Sequence, residues 1–245
     1  MKTDKKECLR VLSLPFDRRP REVLAESLAR IAQTGRPYAV FTPGATVAAA
    51  AERDEELRNL LLRADLLLPD GAGVSLAARL SGAGRLPRVA GIELAESLLP
   101  LAAERGLRVF FYGGREGVAE RAAALWRERY PTLSVAVADG YSGDPTEGIR
   151  AFSPHILFVC LGFPRQEEWI LSRKASVRGV MLGLGGSLDV WSGCVRRAPL
   201  ALRRVHMEWL WRTLCEPRRA RRLLPLPRYF FACLATGVKN VLHKR

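Results

Sequence analysis

Up to about residue 192, short apolar runs alternate with longer amphipathic segments. The longer segments, such as 45–63, 92–105 and 116–130, carry apolar residues at spacings of three and four, which predicts helices. The short runs predict strands at 9–14, 38–42, 65–69, 108–113, 133–138, 155–162 and 179–185. Such alternation predicts an α/β fold: a Rossmann-like, mostly parallel sheet with helices on both faces.

After Pro199 the sequence becomes rich in arginine and contains tryptophan, and it is interrupted by Pro217, Pro225 and Pro227. This segment is predicted to form two or three short helices appended to the sheet. We therefore expect an α/β domain over 1–194 and an arginine-rich helical appendage over 195–245.

Charge is concentrated in the same appendage. Residues 195–245 hold 13 basic and 2 acidic side chains, a net +11 of the chain's +14. Aromatic residues lie among these cations, and the mixture is typical of a helix lying on anionic lipid. The alternative is a stripe that packs the appendage onto the sheet. The aromatic residues in question are Trp209, Trp211, Tyr229, Phe230 and Phe231.

Export and membrane insertion are not indicated. The N-terminus has no apolar stretch of signal-peptide length, and the apolar run 229–238 has about half the roughly 20 residues that cross a bilayer. The five cysteines show no CxxC spacing and form no zinc pattern with the three histidines. We expect a cytoplasmic protein with reduced thiols, peripherally associated with the inner face of the cell membrane.

Loops rich in glycine and polar residues follow the predicted strands, at the edge where open parallel sheets bind ligands. In "LLLPDGAG", Asp70 follows a predicted buried strand. At this position an aspartate serves either as the N-cap of the next helix or as a general base that deprotonates a sugar hydroxyl. Arg88 in "LPRVAGIEL" is either a solvated charge or a clamp for phosphate or carboxylate. Gly113 and Gly114 in "YGGREG" suit either a phosphate-binding loop or a tight turn.

The stretch "LGFPRQEEW" places polar groups directly after the strand "ILFVC". Glu167 and Glu168 suit the first turn of a helix, whereas the amide of Gln166 suits a sugar hydroxyl or a base edge. In the appendage, the spacing of Arg212, Arg219 and Arg222 would place all three on one face of a helix. This face either binds a diphosphate or is a cationic surface exposed to water.

Together these blocks resemble the WecG/TagA/CpsF family of bacterial glycosyltransferases, glycosyltransferase family 26, from about Tyr38 to Arg222. The motifs that carry the resemblance are "FTPGATV", "LLLPDGAGV", "RVAGIEL", "VFFYGGREGVAE", "YPTLSVAVADGY", "CLGFPRQEEWI", "GLGGSLDVWSGCVRRAP" and "MEWLWRTLCEPRR".

The resemblance implies an inverting transferase that moves an N-acetylhexosamine, N-acetylmannosamine in characterised relatives, from a UDP-sugar to a polyprenyl-diphosphate-linked sugar. The product feeds wall teichoic acid or other surface polysaccharides. It implies that Asp70 is the general base, that Thr42 lines the pocket and that Gln166 and Glu167 contact donor or acceptor. Diphosphate charge would be held by Arg88, Arg212, Arg219 and Arg222. No cofactor is expected, and side-chain cations would take the role of a metal ion.

One departure from the family pattern concerns the loop that carries Thr42. The family has T-x-N where this chain has Thr42, Pro43 and Gly44, so an amide that would orient Asp70 or a sugar hydroxyl is missing. Glu93 also stands where Asp is commoner in the family. The segment after "EPRR" is one residue shorter than usual, which makes the assignment of Arg222 to the site weaker than that of Arg212. Altered sugar specificity or lost activity is therefore an alternative.

Two further alternatives belong to other classes. The basic appendage could bind nucleic acid, but the sheet loops offer no recognition motif for it. A UDP-sugar epimerase or dehydrogenase needs a GxGxxG near the N-terminus, where "LSLPFDRRP" stands instead. The oligomeric state is open, a homo-oligomer included.

Overall fold

A single parallel sheet forms the centre of the structure, a computed structural model that describes residues 7–199, 201–202, 208–215, 220–221 and 223–242. Six strands pair in parallel in the order β4-β3-β8-β7-β5-β6, which confirms the predicted Rossmann-like α/β architecture. The strands are β1 (Cys8–Val11), β2 (Leu14–Asp17), β3 (Tyr38–Phe41), β4 (Leu66–Leu67), β5 (Val109–Gly113), β6 (Val135–Ala138), β7 (Ile156–Cys160) and β8 (Val180–Gly183).

Helices cover both faces of the sheet. One apolar cluster packs α1, α5, α6 and α9 on one face, and a second packs α2, α4, α8 and α11 on the other. The strands β3, β5, β7 and β8 are buried on both sides, as expected of a parallel sheet, and the edge strand β6 is partly exposed. The helices are α1 (Arg21–Gln33), α2 (Ala45–Ala51), α3 (Glu55–Leu62), α4 (Ala72–Leu80), α5 (Gly91–Glu104), α6 (Val118–Arg129), α7 (Thr146–Phe152), α8 (Arg165–Arg173), α9 (Ser187–Trp191), α10 (Glu208–Cys215) and α11 (Leu226–Leu242).

The prediction of one strand over 9–14 was wrong. The chain reverses between β1 and β2, which pair in antiparallel fashion as a hairpin outside the six-stranded sheet. Leu12 takes a positive φ of 51° at the reversal, a conformation rare for a non-glycine residue. Apolar alternation continues through the turn, and for this reason the sequence pattern suggested a single strand.

The predicted helix over 45–63 is also two helices. The break lies between α2 and α3, where Asp54 is extended and its carboxylate accepts a hydrogen bond from the N–H of Leu57. An aspartate at such a position stabilises a helix start, so a second helix begins there. The predicted helices over 92–105 and 116–130 are confirmed within two residues by α5 and α6.

The last helix of the appendage, α11, packs against α4 and α2 with Tyr229 and Cys233 buried. Gly237 lies so close to the carbonyl of Leu80 that a side chain there would collide with it. At 17 residues, α11 is longer than the short helices expected. No helix of the described residues is both long and apolar enough to span a bilayer. The division at 194/195 stays a prediction.

Candidate functional site

The carboxyl edge of the sheet collects the loops that the sequence singled out. Thr42 follows β3, Asp70 follows β4, Gly185 follows β8 and Gln166 follows β7 at the start of α8. Because β4, β3, β8 and β7 are successive neighbours in the sheet, these residues come together along one edge. This is the edge at which open α/β sheets bind ligands.

Asp70 does not cap the helix that follows it. The N-cap position of α4 is Gly71, which has no side chain to bond. Instead Asp70 Oδ1 accepts a hydrogen bond from the N–H of Gly91, the first residue of α5, at 3.3 Å. The bond orients a half-buried carboxylate at the positive end of a 14-residue helix, which favours negative charge there.

Thr42 packs against the same helix start. A methyl group added to Gly91 would lie 3.0 Å from Thr42 Oγ1 and 3.2 Å from Leu184, so only glycine fits there without a shift. The hydroxyl of Thr42 donates to the carbonyl of Gly183 at 2.9 Å and ties β3 to the end of β8. Thr42, Asp70 and Gly91 therefore form one contact group.

Gly44 lies beside Asp70 through a parallel backbone bridge. Its φ of −79° is open to any residue, and an added Cβ would meet only the Asp70 carbonyl oxygen at 3.4 Å, an ordinary contact. The backbone at this position therefore accepts a Cβ atom without a shift of its neighbours.

Gln166 and Glu167 are buried at the end of β7, with 5% and 3% of their surfaces exposed. Gln166 Oε1 accepts from the N–H of Gly185 at 2.8 Å, and its Nε2 donates to Glu167 Oε1 at 2.8 Å. A side chain on Gly183 would lie 2.8 Å from that Nε2. The structure thus makes Gln166 a brace for the loop after β8, while its contact with a ligand stays a prediction.

Burial raises the pKa of Glu167 to about 7, with the bond from Gln166 acting in the opposite direction. Its Oε2 has no hydrogen-bond partner among the described residues. A carboxyl group with this pKa exchanges a proton near neutrality.

Arg88 lies next to the Asp70 loop, since the N–H of Val89 donates to the Pro69 carbonyl at 3.0 Å. Its Nη2 contacts Glu93 Oε1 at 2.5 Å, and its Nη1 lies 3.7 Å from Glu208 Oε2 of α10. The guanidinium group is therefore not a solvated surface charge, and its role as a clamp for phosphate stays a prediction. It joins α5 to the appendage.

Gly113 and Gly114 have positive φ values of 128° and 74°. A side chain on Gly113 would collide with the Cys160 carbonyl of β7, and one on Gly114 would lie 2.8 Å from Val118. Close packing thus explains both glycines, and phosphate binding by this loop stays a prediction.

Sequence reasoning placed three further arginines in the site. Arg212 belongs to α10, but its side chain is outside what the structure describes, and Arg219 and Arg222 lie outside the described residues. Three residues near this edge were not predicted: Arg197, in the "RRAP" stretch of the sequence, Glu96, which contacts Arg197, and Glu208, which contacts Arg88. Within the described ranges, no group of three or more His, Cys, Asp or Glu is placed to hold a metal ion.

Comparison with known proteins gives this site a context. The profile of the "Glycosyl transferase WecG/TagA/CpsF family" matches residues 9–241. A relative from Bacillus spizizenii W23 is 38% identical over 80% of this chain and 78% of its own, and one from Bacillus subtilis 168 is 34% identical over the same shares. A third, from Staphylococcus aureus NCTC 8325, is 36% identical over 70% of each chain.

All three relatives bear the name N-acetylglucosaminyldiphosphoundecaprenol N-acetyl-β-D-mannosaminyltransferase. The matched region contains every element of the sheet edge described above. This chain belongs to the WecG/TagA/CpsF family of glycosyltransferases.

Proposed function

We propose that this glycosyltransferase moves an N-acetylhexosamine, N-acetylmannosamine in the first instance, from a UDP-sugar to N-acetylglucosaminyl-diphosphoundecaprenol or a close analogue. The names of the relatives support this acceptor and this sugar. The observation that carries the proposal is the carboxylate of Asp70, held on the N–H of Gly91 beside Thr42 at the ligand-binding edge. The product would enter surface polysaccharide or teichoic acid synthesis.

Asp70 acts as the general base in this proposal. It removes the proton from the acceptor hydroxyl while the hydroxyl oxygen attacks the anomeric carbon of the donor and the bond to UDP breaks. Attack from the face opposite UDP inverts the anomeric configuration. A positioned base of this kind commonly contributes 10²- to 10⁴-fold to the rate, roughly.

The departing UDP carries the charge that must be stabilised. Arg88 directly precedes Val89, which is hydrogen-bonded to Pro69 next to Asp70, and the Arg88–Glu208 contact gives the appendage a direct connection to this arginine. Arginine matches phosphate oxygens in a bidentate manner and suits this task without a metal ion. Arg212, Arg219 and Arg222 are proposed to add to it from the appendage.

A lipid-linked acceptor calls for contact with a membrane surface, and α11 is the proposed contact. Its buried side, with Tyr229 and Cys233, faces α4 and α2, while Phe231, Leu234 and Val238 are 72%, 47% and 52% exposed. Arg228 and Lys239 are exposed on the same helix. An apolar stripe with nearby cations is typical of helices that lie in the headgroup region. We therefore propose peripheral association with the inner face of the membrane.

A donor and acceptor screen tests the proposed function. Purified protein is given UDP-N-acetylmannosamine, UDP-N-acetylglucosamine or UDP-N-acetylgalactosamine, each with and without a short-chain prenyl-diphosphate-N-acetylglucosamine, and UDP release is measured. We expect release that depends on the acceptor. Lack of release in every arm, from protein that melts cooperatively, contradicts the proposal.

One observation favours a second candidate function within the same class. Gly44 has no side chain to contribute beside Asp70, where the family resemblance implies an asparagine. An altered donor preference would appear in the same screen as acceptor-dependent UDP release from a sugar other than N-acetylmannosamine.

A further inference from the structure

Arg197 lies at the start of the appendage, in the segment that follows α9, and among the described residues its side chain makes hydrogen bonds along one side only. Its Nη1 contacts Glu96 Oε1 at 2.7 Å, and the same oxygen accepts from Trp191 Nε1 at 3.2 Å. Because Glu96 belongs to α5 and Trp191 to α9, this anchor fixes the guanidinium group against two helices of the sheet domain.

The other side of the guanidinium group has unmet hydrogen-bonding capacity. Nε and Nη2 are both buried, and neither has a hydrogen-bond partner in the part of the chain that the structure describes. Buried donors of this kind are rare because leaving them unpaired costs free energy, so they point to a missing acceptor. Nε and Nη2 together form the edge of arginine that matches two oxygens of a phosphate or carboxylate.

This open edge is close to Arg88. Nη2 of Arg197 lies 4.0 Å from Glu93 Oε1, the same oxygen that Arg88 Nη2 contacts at 2.5 Å. Two guanidinium groups thus converge on one carboxylate oxygen, although the Arg197 approach is too long for a hydrogen bond. An anion with several oxygens can engage both cations without breaking any hydrogen bond that Arg197 now makes.

The pair of arginines is connected to the proposed catalytic base through a short stretch of chain. Arg88 precedes Val89, which bonds the backbone at Pro69, and Gly91, which bonds Asp70. Along α5, Gly91 bonds Asp70, Glu93 contacts Arg88, and Glu96, roughly one helical turn further on, contacts Arg197. A diphosphate whose sugar end lies at Asp70 extends along such a path.

We propose that Arg197 is a phosphate-binding residue, which uses Nε and Nη2 to hold a diphosphate that Arg88 also contacts. The identity of the diphosphate rests on the proposed function, since both the UDP donor and the lipid-linked acceptor contain one. Because both nitrogens are buried, binding requires a shift of the chain around them, and the bound phosphate is then shielded from water, where ionic contacts are stronger.

Two substitutions at Arg197 distinguish the effect of its bidentate Nε–Nη2 geometry from the effect of its positive charge. Arg197→Lys keeps a cation that can pair with Glu96 but removes the two-pronged edge, and Arg197→Gln removes the charge as well. Arg105→Lys is the matched control, because Arg105 pairs with Glu26 on the outside of α1 and α5, away from this edge. Cooperative melting of each protein checks the fold.

Binding of UDP and of inorganic diphosphate is measured by calorimetry, and KM and kcat are measured for the prenyl-diphosphate acceptor. A rise of about tenfold or more in the Kd for UDP in Arg197→Lys, absent from Arg105→Lys, supports binding of the donor diphosphate. An unchanged Kd for UDP with a similar rise in the acceptor KM, at nearly constant kcat, supports binding of the lipid diphosphate.

The proposal is overturned if both folded variants bind UDP and diphosphate like the wild type and keep its acceptor KM, or if the wild type binds no diphosphate at all. A wild type that binds UDP through Arg197 but transfers no sugar contradicts the proposed function and leaves this inference standing. Should neither variant fold, a crystal structure of the wild type with UDP and the acceptor decides. Arg197 Nε and Nη2 within hydrogen-bond distance of a phosphate group support the inference. If these nitrogens contact neither the UDP diphosphate nor the acceptor diphosphate, the inference is overturned.

Discussion

The carboxylate of Asp70 is bonded to the backbone N–H of Gly91, 21 residues further along the chain, at 3.3 Å. The bond joins the loop after β4 to the start of α5, where Thr42 packs against the Cα of Gly91. Under the proposed function, removing the side chain of Asp70 should therefore have two separable effects, on catalysis and on this junction.

Replacing Asp70 by asparagine should stop turnover without damaging the fold. Asparagine keeps an oxygen that accepts from Gly91 N–H, but it cannot take up a proton from a hydroxyl group. We expect kcat to fall by roughly 10²- to 10⁴-fold, as for loss of a general base, with donor affinity nearly unchanged. Turnover is measured by UDP release and donor binding by calorimetry.

Asp70→Ala is the companion variant. It loses the bond to Gly91 as well, and we expect about 1 kcal/mol less stability than for Asp70→Asn. Retained turnover in the asparagine variant, with lower stability only in the alanine variant, would reduce Asp70 to a helix-stabilising residue.

Gly44→Asn should restore an amide beside Asp70. The backbone there is extended, and an added Cβ makes only an ordinary contact, so the variant should fold. We expect kcat/KM with UDP-N-acetylmannosamine to rise about tenfold, the value of one added hydrogen bond of about 1.4 kcal/mol. Gly44→Ala is the control that adds Cβ without the amide. An equal rise in the alanine variant, or none in the asparagine variant, contradicts this account.

Glu167 should make stability depend on pH. Its pKa is about 7 in the folded protein against an ordinary value of 4.5. The buried neutral form therefore contributes stability that is complete below pH 4.5 and is lost as pH rises through 7. Glu167→Gln stays neutral throughout and should gain up to about 3 kcal/mol over the wild type between pH 4.5 and pH 8.

Urea unfolding at several pH values between 4.5 and 8 measures this difference. Glu168→Gln is the matched control, since Glu168 is the exposed neighbour on the same helix. If the stability difference between wild type and Glu167→Gln does not change with pH, folding does not raise the pKa of Glu167.

The exposed stripe of α11 should determine membrane binding. Phe231→Asp and Leu234→Asp introduce charge on the outward side and leave the packing of Tyr229 and Cys233 intact. We expect each to reduce cosedimentation with vesicles of anionic lipid by at least about fivefold, since an apolar contact is replaced by a charge that the lipid repels. Activity on a short-chain acceptor should persist. Leu125→Asp, at a similarly exposed leucine of α6, is the control and should bind vesicles like the wild type.

Local patterns predicted most of the sheet domain. Strands buried on both faces read as continuous apolar runs, and β3, β5, β7 and β8 were found within two residues of their ends. The hairpin of β1 and β2 was not predicted because the apolar alternation continues through Leu12, where the chain reverses with a positive φ. The break before α3 was not predicted because apolar spacing continues across it, although Asp54 carried the signal of a new helix.

The site was predictable as a place but not as a set of contacts. The loops after the strands indicated the edge, and Asp70 was found there. The partner of Asp70 is a backbone N–H of another helix, and the partners of Arg88 are Glu93 and Glu208. Arg88 and Glu93 are close in sequence, but the pairs Asp70–Gly91 and Arg88–Glu208 join distant parts of the chain. Such distant pairings depend on how helices pack, and no local pattern encodes them.

Mass spectrometry of the acceptor tests the central claim most directly. A prenyl-diphosphate-N-acetylglucosamine is incubated with UDP-N-acetylmannosamine and either the wild type or Asp70→Asn. The account predicts that the wild type adds one N-acetylhexosamine to the acceptor, in amounts matching the UDP released, while Asp70→Asn adds none above a trace. UDP release without a heavier acceptor, or equal product from both proteins, would contradict it.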